Sequence, residues 1–325
     1  MHAVRMESYG GPEVLAHGEV ADPDPPRGWV TVELRASALN WHDVLVRRGR
    51  YSSPPQHIPG ADGAGVRTDT GEEVVILPSL YWGGLTEAPG PDFEILGDHV
   101  PGTYAEAVAV PAECLAPKPA GYSWAGAAAL PLVGVTAYRA LVTRARLREG
   151  ESLLVVGASG GIATTALALA AAVGARAHVT ASSQAKLHRA LDGGAEAGVL
   201  HSDDAWPDLA RAQSPGGQGF DVVLDPVGLW ERSIRALRPG GRMVVLGSNV
   251  AETALLDIRS FYFGQFDLLG TTMGGPEDFR GLLSLIELRR VPPPPIAETF
   301  PLAQASRAHA FLESGEAFGK IVLTP

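Results

Sequence analysis

The chain has 325 residues, 46% hydrophobic and 19% charged, which is typical of a globular protein too long for one hydrophobic core. Its 26 basic and 36 acidic residues give a net charge of -10, which disfavours binding to nucleic acid. Because Cys114 is the only cysteine, the chain cannot form an intrachain disulfide or a cysteine-rich zinc site. The N-terminus does not resemble a secretion signal, and the longest apolar run, residues 166–173, is too short to span a membrane. We therefore expect a cytoplasmic protein.

Short strand patterns separated by turns characterise the first third of the chain. Residues 29–39, "WVTVELRASAL", alternate apolar and polar side chains, and "EEVVIL" and "YAEAVAV" are similar. Proline- and glycine-rich segments such as "DPDPPRG" and "SSPPQHIPG" separate these runs. Many short strands with irregular loops predict a β-rich domain of the barrel or sandwich type.

Strand and helix patterns alternate after Pro119. A helical stretch begins after Ser123, a candidate N-cap, and the strand-like "SLLVVGA" then leads into a helix over residues 162–173. Further strands are "RAHVTA", "AGVLH", "FDVVLDPVG", "RMVVLGS" and "FDLLGTTMGG", with helical patterns between several of them. This alternation predicts a doubly wound, mostly parallel α/β sheet buried on both faces. A helix and a strand–helix–strand pattern close the chain.

A cluster of small residues, "VVGASGGIA", follows the first strand of that sheet. Three such positions serve a dinucleotide site: Ala158 for the tight turn, Gly160 for close approach of the pyrophosphate, and Ala163 for helix–strand packing. The amides of Gly160, Gly161 and Ile162 would lie at a helix N-terminus, which favours an anion. The alternative is a glycine-rich turn that binds no ligand.

The end of the next strand, "VTASSQAK", predicts which cofactor is bound. An NAD site favours an acidic residue here to hold the ribose hydroxyls, and this stretch has none. Thr180, Ser182 and Ser183 can instead hydrogen-bond a 2′-phosphate, and Lys186 can neutralise it. We therefore expect NADPH; the alternative is that a serine caps the next helix and Lys186 is merely solvated.

Several ordered motifs together resemble the medium-chain dehydrogenase/reductase superfamily, within it the zinc-independent quinone oxidoreductase branch. They include "ALNWHDVLVRRGRY", "IPGADGAGV", "GTYAEAVAVPAE", "VVGASGGIA" and the closing "GKIVL". The resemblance implies a GroES-like catalytic domain from residues 1–122 and 273–325 and a Rossmann domain for NADPH from residues 123–272. It also implies a cofactor held in the cleft and a homodimer or homotetramer, often joined through the edges of the Rossmann sheets.

The zinc positions of the resembled superfamily are occupied by other residues here. Zinc-dependent relatives place a ligating cysteine where this chain has Asn40, and a His-Glu pair where it has Ala61 and Asp62. The region of their structural zinc lobe, residues 78–98, has no cysteine. We predict no metal, because a site could be assembled only from Asp62, His57, His42 and Asp43 without the cysteine ligand.

The resemblance also assigns roles to single residues. Asn40 lies beside the nicotinamide ribose and Tyr51 lines the substrate pocket, so these two are the predicted catalytic residues. Alternatives are that Tyr51 is an ordinary loop aromatic, that His42 is a wall residue, and that Asp43 is structural and paired with Arg47. The predicted cofactor contacts are Asn40, Thr136, Ala158, Ser159, Gly160, Gly161, Ile162, Thr180, Ser182, Ser183, Lys186, His201, Val227, Gly247, Ser248, Asn249 and Met273.

The missing zinc favours one class of hydride acceptor. A quinone or α,β-unsaturated carbonyl compound delocalises the developing charge, so hydrogen-bond donors can stabilise it. A simple ketone would benefit more from a Lewis acid. We therefore expect NADPH-dependent reduction of a quinone or an enone. The alternatives are a zinc-independent alcohol dehydrogenase or enoyl reductase, and a non-catalytic NADPH-binding structural or sensor protein.

Overall fold

The computed structural model describes all 325 residues, which divide into two compact units. The first contains Met1–Val135, Gly274–Glu287 and Pro293–Pro325, and the second contains Thr136–Met273 and Leu288–Pro292. The first boundary lies further along the chain than the expected position after residue 122. The physical reason is that the helix Trp124–Ala128 packs against strands of the first unit.

The elements are numbered along the chain. The strands are β1 His2–Met6, β2 Leu15–Glu19, β3 Trp29–Ala38, β4 Asp62–Arg67, β5 Glu73–Ile76, β6 Ser79–Leu80, β7 Glu94–Ile95, β8 Ala107–Pro111, β9 Leu115–Pro117, β10 Ser152–Val155, β11 Arg176–Ala181, β12 Ala197–Leu200, β13 Phe220–Asp225, β14 Leu237–Val245, β15 Asp267–Gly270, β16 Ile296–Pro301 and β17 Lys320–Thr324. The α-helices are α1 Trp41–Arg47, α2 Trp124–Ala128, α3 Pro131–Tyr138, α4 Gly161–Val173, α5 Gln184–Asp192, α6 Trp206–Gln213, α7 Trp230–Ser233, α8 Ile258–Gly264, α9 Pro276–Arg289 and α10 Ala305–Glu313.

The first unit is built around a seven-stranded sheet. Its order is β16-β17-β3-β4-β5-β9, and β8 also pairs with β3. In this register Ala38, at the end of β3, lies opposite Asp62 on β4 and opposite Val322 on β17. The end of β3 and the beginnings of β4 and β17 therefore meet at one place in the sheet.

The second unit contains the predicted parallel sheet. Six strands pair in the order β12-β11-β10-β13-β14-β15, and every pairing is parallel. Numbered within the sheet this is 3-2-1-4-5-6, the order of a Rossmann fold. All four residues of β10 are buried, as expected for a central strand covered on both faces. The structure thus confirms the predicted α/β class.

The helical stretch after Ser123 is interrupted, although its apolar sequence looks continuous. Ser123 caps α2 by accepting a hydrogen bond from the Gly126 amide, as predicted. Pro131 has no amide hydrogen to donate and begins the separate helix α3, which is followed by a π-helix at Arg139–Arg144. Among the helices, none combines the length and the apolar character that crossing a membrane requires.

Candidate functional site

The turn between β10 and α4 leaves open space beside one of its glycines. Gly157 has φ of +88° and makes the tight turn, which corrects the expectation that Ala158 would do so; Ala158 is 2% exposed. Gly160 is the N-cap of α4, and a Cβ built there would meet no atom within 4 Å. The fold therefore does not itself require a glycine at position 160, whereas a closely approaching ligand would.

The N-terminus of α4 offers amide groups to that space. The N-cap Gly160 provides no side-chain hydrogen bond, and the first amides of an α-helix have no partner within the helix. Ser159, Gly161 and Ile162 are half-buried and Gly160 is exposed. These predicted contacts form a cradle that fits a pyrophosphate by its donors and by the positive end of the helix dipole.

The end of β11 brings hydroxyl and basic side chains next to this turn. Thr180 is fully buried; its hydroxyl accepts a hydrogen bond from the Gly157 amide at 3.0 Å and contacts Nδ1 of His201 at 2.9 Å. Burial, and secondly the charge of Lys186, lowers the pKa of His201, so these two side chains are neighbours. Thr180 thus shapes the turn, and Lys186, the residue predicted to neutralise a 2′-phosphate, lies beside His201.

The two predicted serines at this strand end differ in position. Ser182 is exposed, whereas Ser183 is half-buried and caps α5 by accepting a hydrogen bond from the Lys186 amide at 3.3 Å. The capping alternative is therefore present for Ser183. Because a capping hydroxyl accepts through oxygen and still carries a hydrogen, it retains a donor for a phosphate.

A buried carboxylate shapes the loop after β13. Asp225 is fully buried and accepts hydrogen bonds from the amides of Val227, Gly228 and Leu229 and from the hydroxyl of Ser233. These contacts hold the predicted residue Val227 just beyond the carboxyl end of β13. Ligands of open parallel sheets bind at these strand ends.

The remaining predicted cofactor contacts of this unit lie in two places. Gly247 has φ of +76° and, with the exposed Ser248 and Asn249, follows the carboxyl end of β14. Thr136 and Met273 are buried, and the Thr136 hydroxyl lies 3.9 Å from the Met273 sulfur. Met273 has φ of +42°, a conformation that few residues with side chains adopt.

A buried ammonium group lies between two predicted site positions in the first unit. Lys320, at the start of β17, donates from Nζ to Oδ1 of Asn40 and, at 3.0 Å, to Oδ2 of Asp62. Asn40 donates to the same carboxylate at 2.9 Å, and the Leu132 amide donates to its other oxygen at 2.7 Å. Sequence reasoning missed Lys320, although the closing "GKIVL" motif contains it.

A second buried network begins one turn further along α1. Asp43 accepts hydrogen bonds from the Asn40 amide at 2.7 Å and from the Tyr104 hydroxyl at 3.0 Å, and this hydroxyl also contacts Nε2 of His309. Arg47 donates to Glu313 at 2.7 Å instead of pairing with Asp43 as we had considered. Asp43 and Asn40 form a capping box at the start of α1. Asp43 therefore has a structural role, but its partner is Asn40 and not Arg47.

The predicted catalytic residue Tyr51 lies against a histidine. Its ring is 4.5 Å from the ring of His42 at an interplanar angle of 69°, and Tyr51 is 40% exposed. Burial, and secondly the charge of Asp98, raises the pKa of Tyr51, so it remains a hydrogen-bond donor at neutral pH. Nε2 of His42 lies 2.7 Å from Oδ1 of Asp98. Asn40 and Tyr51 are thus at the start and just beyond the end of α1.

The four residues considered for a metal belong to separate networks. Asp62 contacts Lys320 and Asn40, Asp43 contacts Tyr104, His42 contacts Asp98, and His57 contacts the carbonyl of Gly97 at 2.9 Å. A zinc ion would need at least three convergent ligands, and Asp62 already holds an internal cation. This donor set does not fit zinc. The buried thiol of Cys114 has a pKa raised to about 12 by burial.

Two family models match most of the two units. One is described as "Alcohol dehydrogenase GroES-like domain" and matches residues 26–120. The other is described as "Zinc-binding dehydrogenase" and matches residues 161–287. The matched segments cover helix α4, the loops after β11, β13 and β14, and the region of Asn40 and Asp62, whereas Gly157 and Gly160 lie outside them.

Several known proteins are similar over nearly the whole chain. A 2-methylene-furan-3-one reductase of Solanum lycopersicum is 32% identical over 100% of this chain and 79% of its own length. A quinone oxidoreductase of Lama guanicoe is 30% identical over 99% of this chain and 97% of its own. The polyketide synthase protein NorB of Streptomyces orinoci is 34% identical over 94% of this chain, which spans only 13% of that protein. A solved structure described as an NAD-dependent alcohol dehydrogenase is 36% identical, covers 100% of both chains and superposes with a TM-score of 0.92.

Proposed function

We propose a specific reaction for this chain, which belongs to the medium-chain dehydrogenase/reductase superfamily and is an oxidoreductase of that type. The proposed reaction is transfer of a hydride from NADPH to a quinone or an α,β-unsaturated carbonyl compound without zinc. The observation that carries the proposal is the ammonium group of Lys320 on Asn40 and Asp62. In the resembled zinc enzymes, the positions of Asn40 and Asp62 carry ligands of the metal. In this chain the same two positions bind the cation of a lysine side chain. An acceptor that delocalises its own charge needs no metal.

The second unit supplies the proposed cofactor contacts. When bound, NADPH supplies the hydride. The amides at Gly160 and Gly161 would bind its pyrophosphate, and Ser182, Lys186 and His201 would bind its 2′-phosphate. No carboxylate stands in the "TASSQAK" segment to repel that phosphate.

The first unit supplies the proposed substrate contacts. The Tyr51 hydroxyl would donate a hydrogen bond to the substrate oxygen, on which negative charge develops. The Asn40 amide would contact the nicotinamide ribose, and Lys320 and Asp62 hold that amide in a single orientation. Asn40 is therefore oriented before the cofactor and substrate bind.

The cofactor assignment is tested with Lys186→Ala. Loss of one charge-assisted contact to the 2′-phosphate should raise KM for NADPH about tenfold or more and leave KM for NADH nearly unchanged. Arg189→Ala, an exposed residue on the same helix, is the matched control and should change neither value. An equal effect of Lys186→Ala on both cofactors would contradict the 2′-phosphate role.

The reaction is tested by NADPH consumption with a panel of quinones, enones and alcohols. We expect turnover of quinones or enones that a chelator does not reduce. The similar solved structure described as an NAD-dependent alcohol dehydrogenase favours one second candidate, NAD-linked alcohol oxidation, which the alcohol arm would reveal. Tight NADPH binding with no turnover of any acceptor would instead favour a non-catalytic binding protein.

We also propose that the chain forms a homodimer or homotetramer through the edge of the six-stranded sheet. Strand β15 is at that edge, and the preceding helix α8 exposes three large apolar side chains. They are Ile258, Tyr262 and Phe263, which are 79%, 49% and 64% exposed. Helix α8 packs against β14, the neighbour of this edge strand, and exposed apolar side chains of this kind are typical of an interface between protein chains.

A further inference from the structure

The imidazole ring of His42 is held by one nitrogen and open at the other. Nε2 lies 2.7 Å from Oδ1 of Asp98, and both side chains are nearly buried, at 9% and 8% exposure. Because an ionised carboxylate only accepts hydrogen bonds, Nε2 is the donor in this pair. Nδ1 makes no hydrogen bond within the chain and is not fully buried, so it is the ring nitrogen left to contact a ligand.

The surroundings of the ring place this open nitrogen beside the proposed substrate site. Tyr51, the proposed donor to the substrate oxygen, packs edge-on against the ring of His42 at 4.5 Å. His42 also lies two residues after Asn40, in the first turn of α1. The titratable groups that interact with the ring are Asp98, Tyr51 and Asp43, and His57 in turn interacts with Asp98 and His99.

A carboxylate–histidine pair of this kind orients a general acid. The carboxylate fixes the tautomer and the direction of the ring and stabilises its protonated form. Such a pair is not needed to reduce a quinone, because the hydroquinone anion takes its proton on oxygen directly from water. Reduction of an enone differs, since one proton must be delivered to carbon, which is slow without a positioned acid.

We propose that His42 donates from Nδ1 the proton that completes reduction of an α,β-unsaturated carbonyl substrate, with Asp98 as its positioning residue; this rests on the proposed function. The β-carbon would receive the hydride that a bound reduced nicotinamide cofactor supplies, with oxidation of that cofactor. The electron pair of the carbon–carbon double bond moves towards the carbonyl, whose oxygen carries the charge of an enolate. The α-carbon then takes the proton from His42 Nδ1, which restores the carbonyl, and the imidazole regains a proton from water.

The test compares an enone with a quinone in the variant His42→Asn. We expect kcat/KM for the enone to fall by about 100-fold, the lower range for loss of a general acid, and kcat/KM for the quinone to change by less than about threefold. In D2O the native chain should place deuterium on one face of the α-carbon, and His42→Asn should place it on both faces. NADPH affinity, measured by fluorescence titration without any acceptor, should be unchanged.

Two further variants separate positioning from folding. Asp98→Asn should lose enone turnover and facial selectivity in part, and Asp98→Glu should restore some of both. His99→Asn removes a half-exposed histidine that contacts Ser52 and Glu94, and it should affect neither acceptor. Equal losses with both acceptors, or retained facial selectivity in His42→Asn, would overturn the role of His42 as proton donor but leave the proposed function standing. Absence of turnover of any acceptor by the unaltered chain would overturn the proposed function and this assignment together.

Discussion

Lys320 shows how a single buried charge organises the first unit. Its side chain is 3% exposed, and burying an unpaired ammonium would cost several kcal/mol. Asp62 and Asn40 offset this cost through two hydrogen bonds, and Asp62 is in turn satisfied by the Leu132 amide. Removing either Lys320 or Asp62 therefore leaves the other's charge buried and uncompensated.

We expect Lys320→Met to lower the free energy of unfolding by about 3–5 kcal/mol, because Asp62 would remain buried without its cation. Urea unfolding at pH 7 measures this loss. The double variant Lys320→Met with Asp62→Asn removes both charges and should regain part of the stability. Strictly additive effects of the two substitutions would contradict a direct coupling between these side chains.

The first turn of helix α1 contains a carboxyl group, that of Asp43, whose pKa is shifted. Burial raises the pKa of Asp43 to about 6, and the charge of His42 and the hydrogen bond from the Asn40 amide oppose the shift. Because the folded pKa lies above the unfolded value of about 3.9, the folded state favours the neutral carboxyl. This contribution to stability is complete below about pH 4 and is lost as the pH rises through 6.

The variant Asp43→Asn keeps the acceptor for the Asn40 amide and the Tyr104 hydroxyl but cannot ionise. We expect its free energy of unfolding, minus that of the native chain, to rise by up to about 3 kcal/mol between pH 4 and pH 7. Urea unfolding at several pH values measures the difference. His309, whose pKa is lowered to about 3 mainly by burial, acts in the opposite direction but is common to both proteins and cancels. A difference that is independent of pH would contradict the raised pKa of Asp43.

The turn between β10 and α4 separates the needs of folding from those of binding. Gly160 has φ of -73° and open space at its Cβ position, so Gly160→Ala should leave stability unchanged or raise it by about 0.4–1 kcal/mol. The added methyl group should nevertheless weaken NADPH binding about tenfold or more. Fluorescence titration and thermal unfolding measure the two effects.

Gly157→Ala is the complementary variant, since position 157 has φ of +88°. We expect it to lose about 1–2 kcal/mol of stability, because a side chain disfavours the left-handed conformation. Undiminished NADPH affinity in Gly160→Ala would contradict the placement of the pyrophosphate at this turn.

Local patterns predicted the second unit well. Strand β11 matches the predicted "RAHVTA", and α4 differs by one residue from the predicted helix, because both are nearly continuous apolar runs bounded by polar or glycine residues. Helices α6 and α8 were not predicted, since segments of eight and seven residues span only about two helical turns. The turn position at Gly157 was assigned one residue too late, because two small residues stand side by side.

Long-range partners could not be derived from the sequence. Lys320 and Asp62 are 258 positions apart, and only the pairing of β17 with β3 and of β3 with β4 brings them together. The same holds for His42 and Asp98, which come from a helix and a loop 56 positions apart. The resemblance to known families proposed roles for Asn40 and Tyr51, but it did not point to the groups that hold or adjoin them here.

At the scale of the whole molecule, the exposed apolar face of α8 predicts assembly. We expect light scattering after size-exclusion chromatography to give the mass of a dimer or tetramer, and Phe263→Glu to give a monomer, because a charge would be buried at the interface. Leu288→Glu, which alters an apolar side chain of the same unit that is 76% exposed, is the matched control and should leave the assembly intact. Both variants should unfold at the same temperature when they are compared at one subunit concentration, low enough for every variant to be monomeric. A native chain of monomer mass, or an equal response to both substitutions, would contradict an interface at the β15 edge of the sheet.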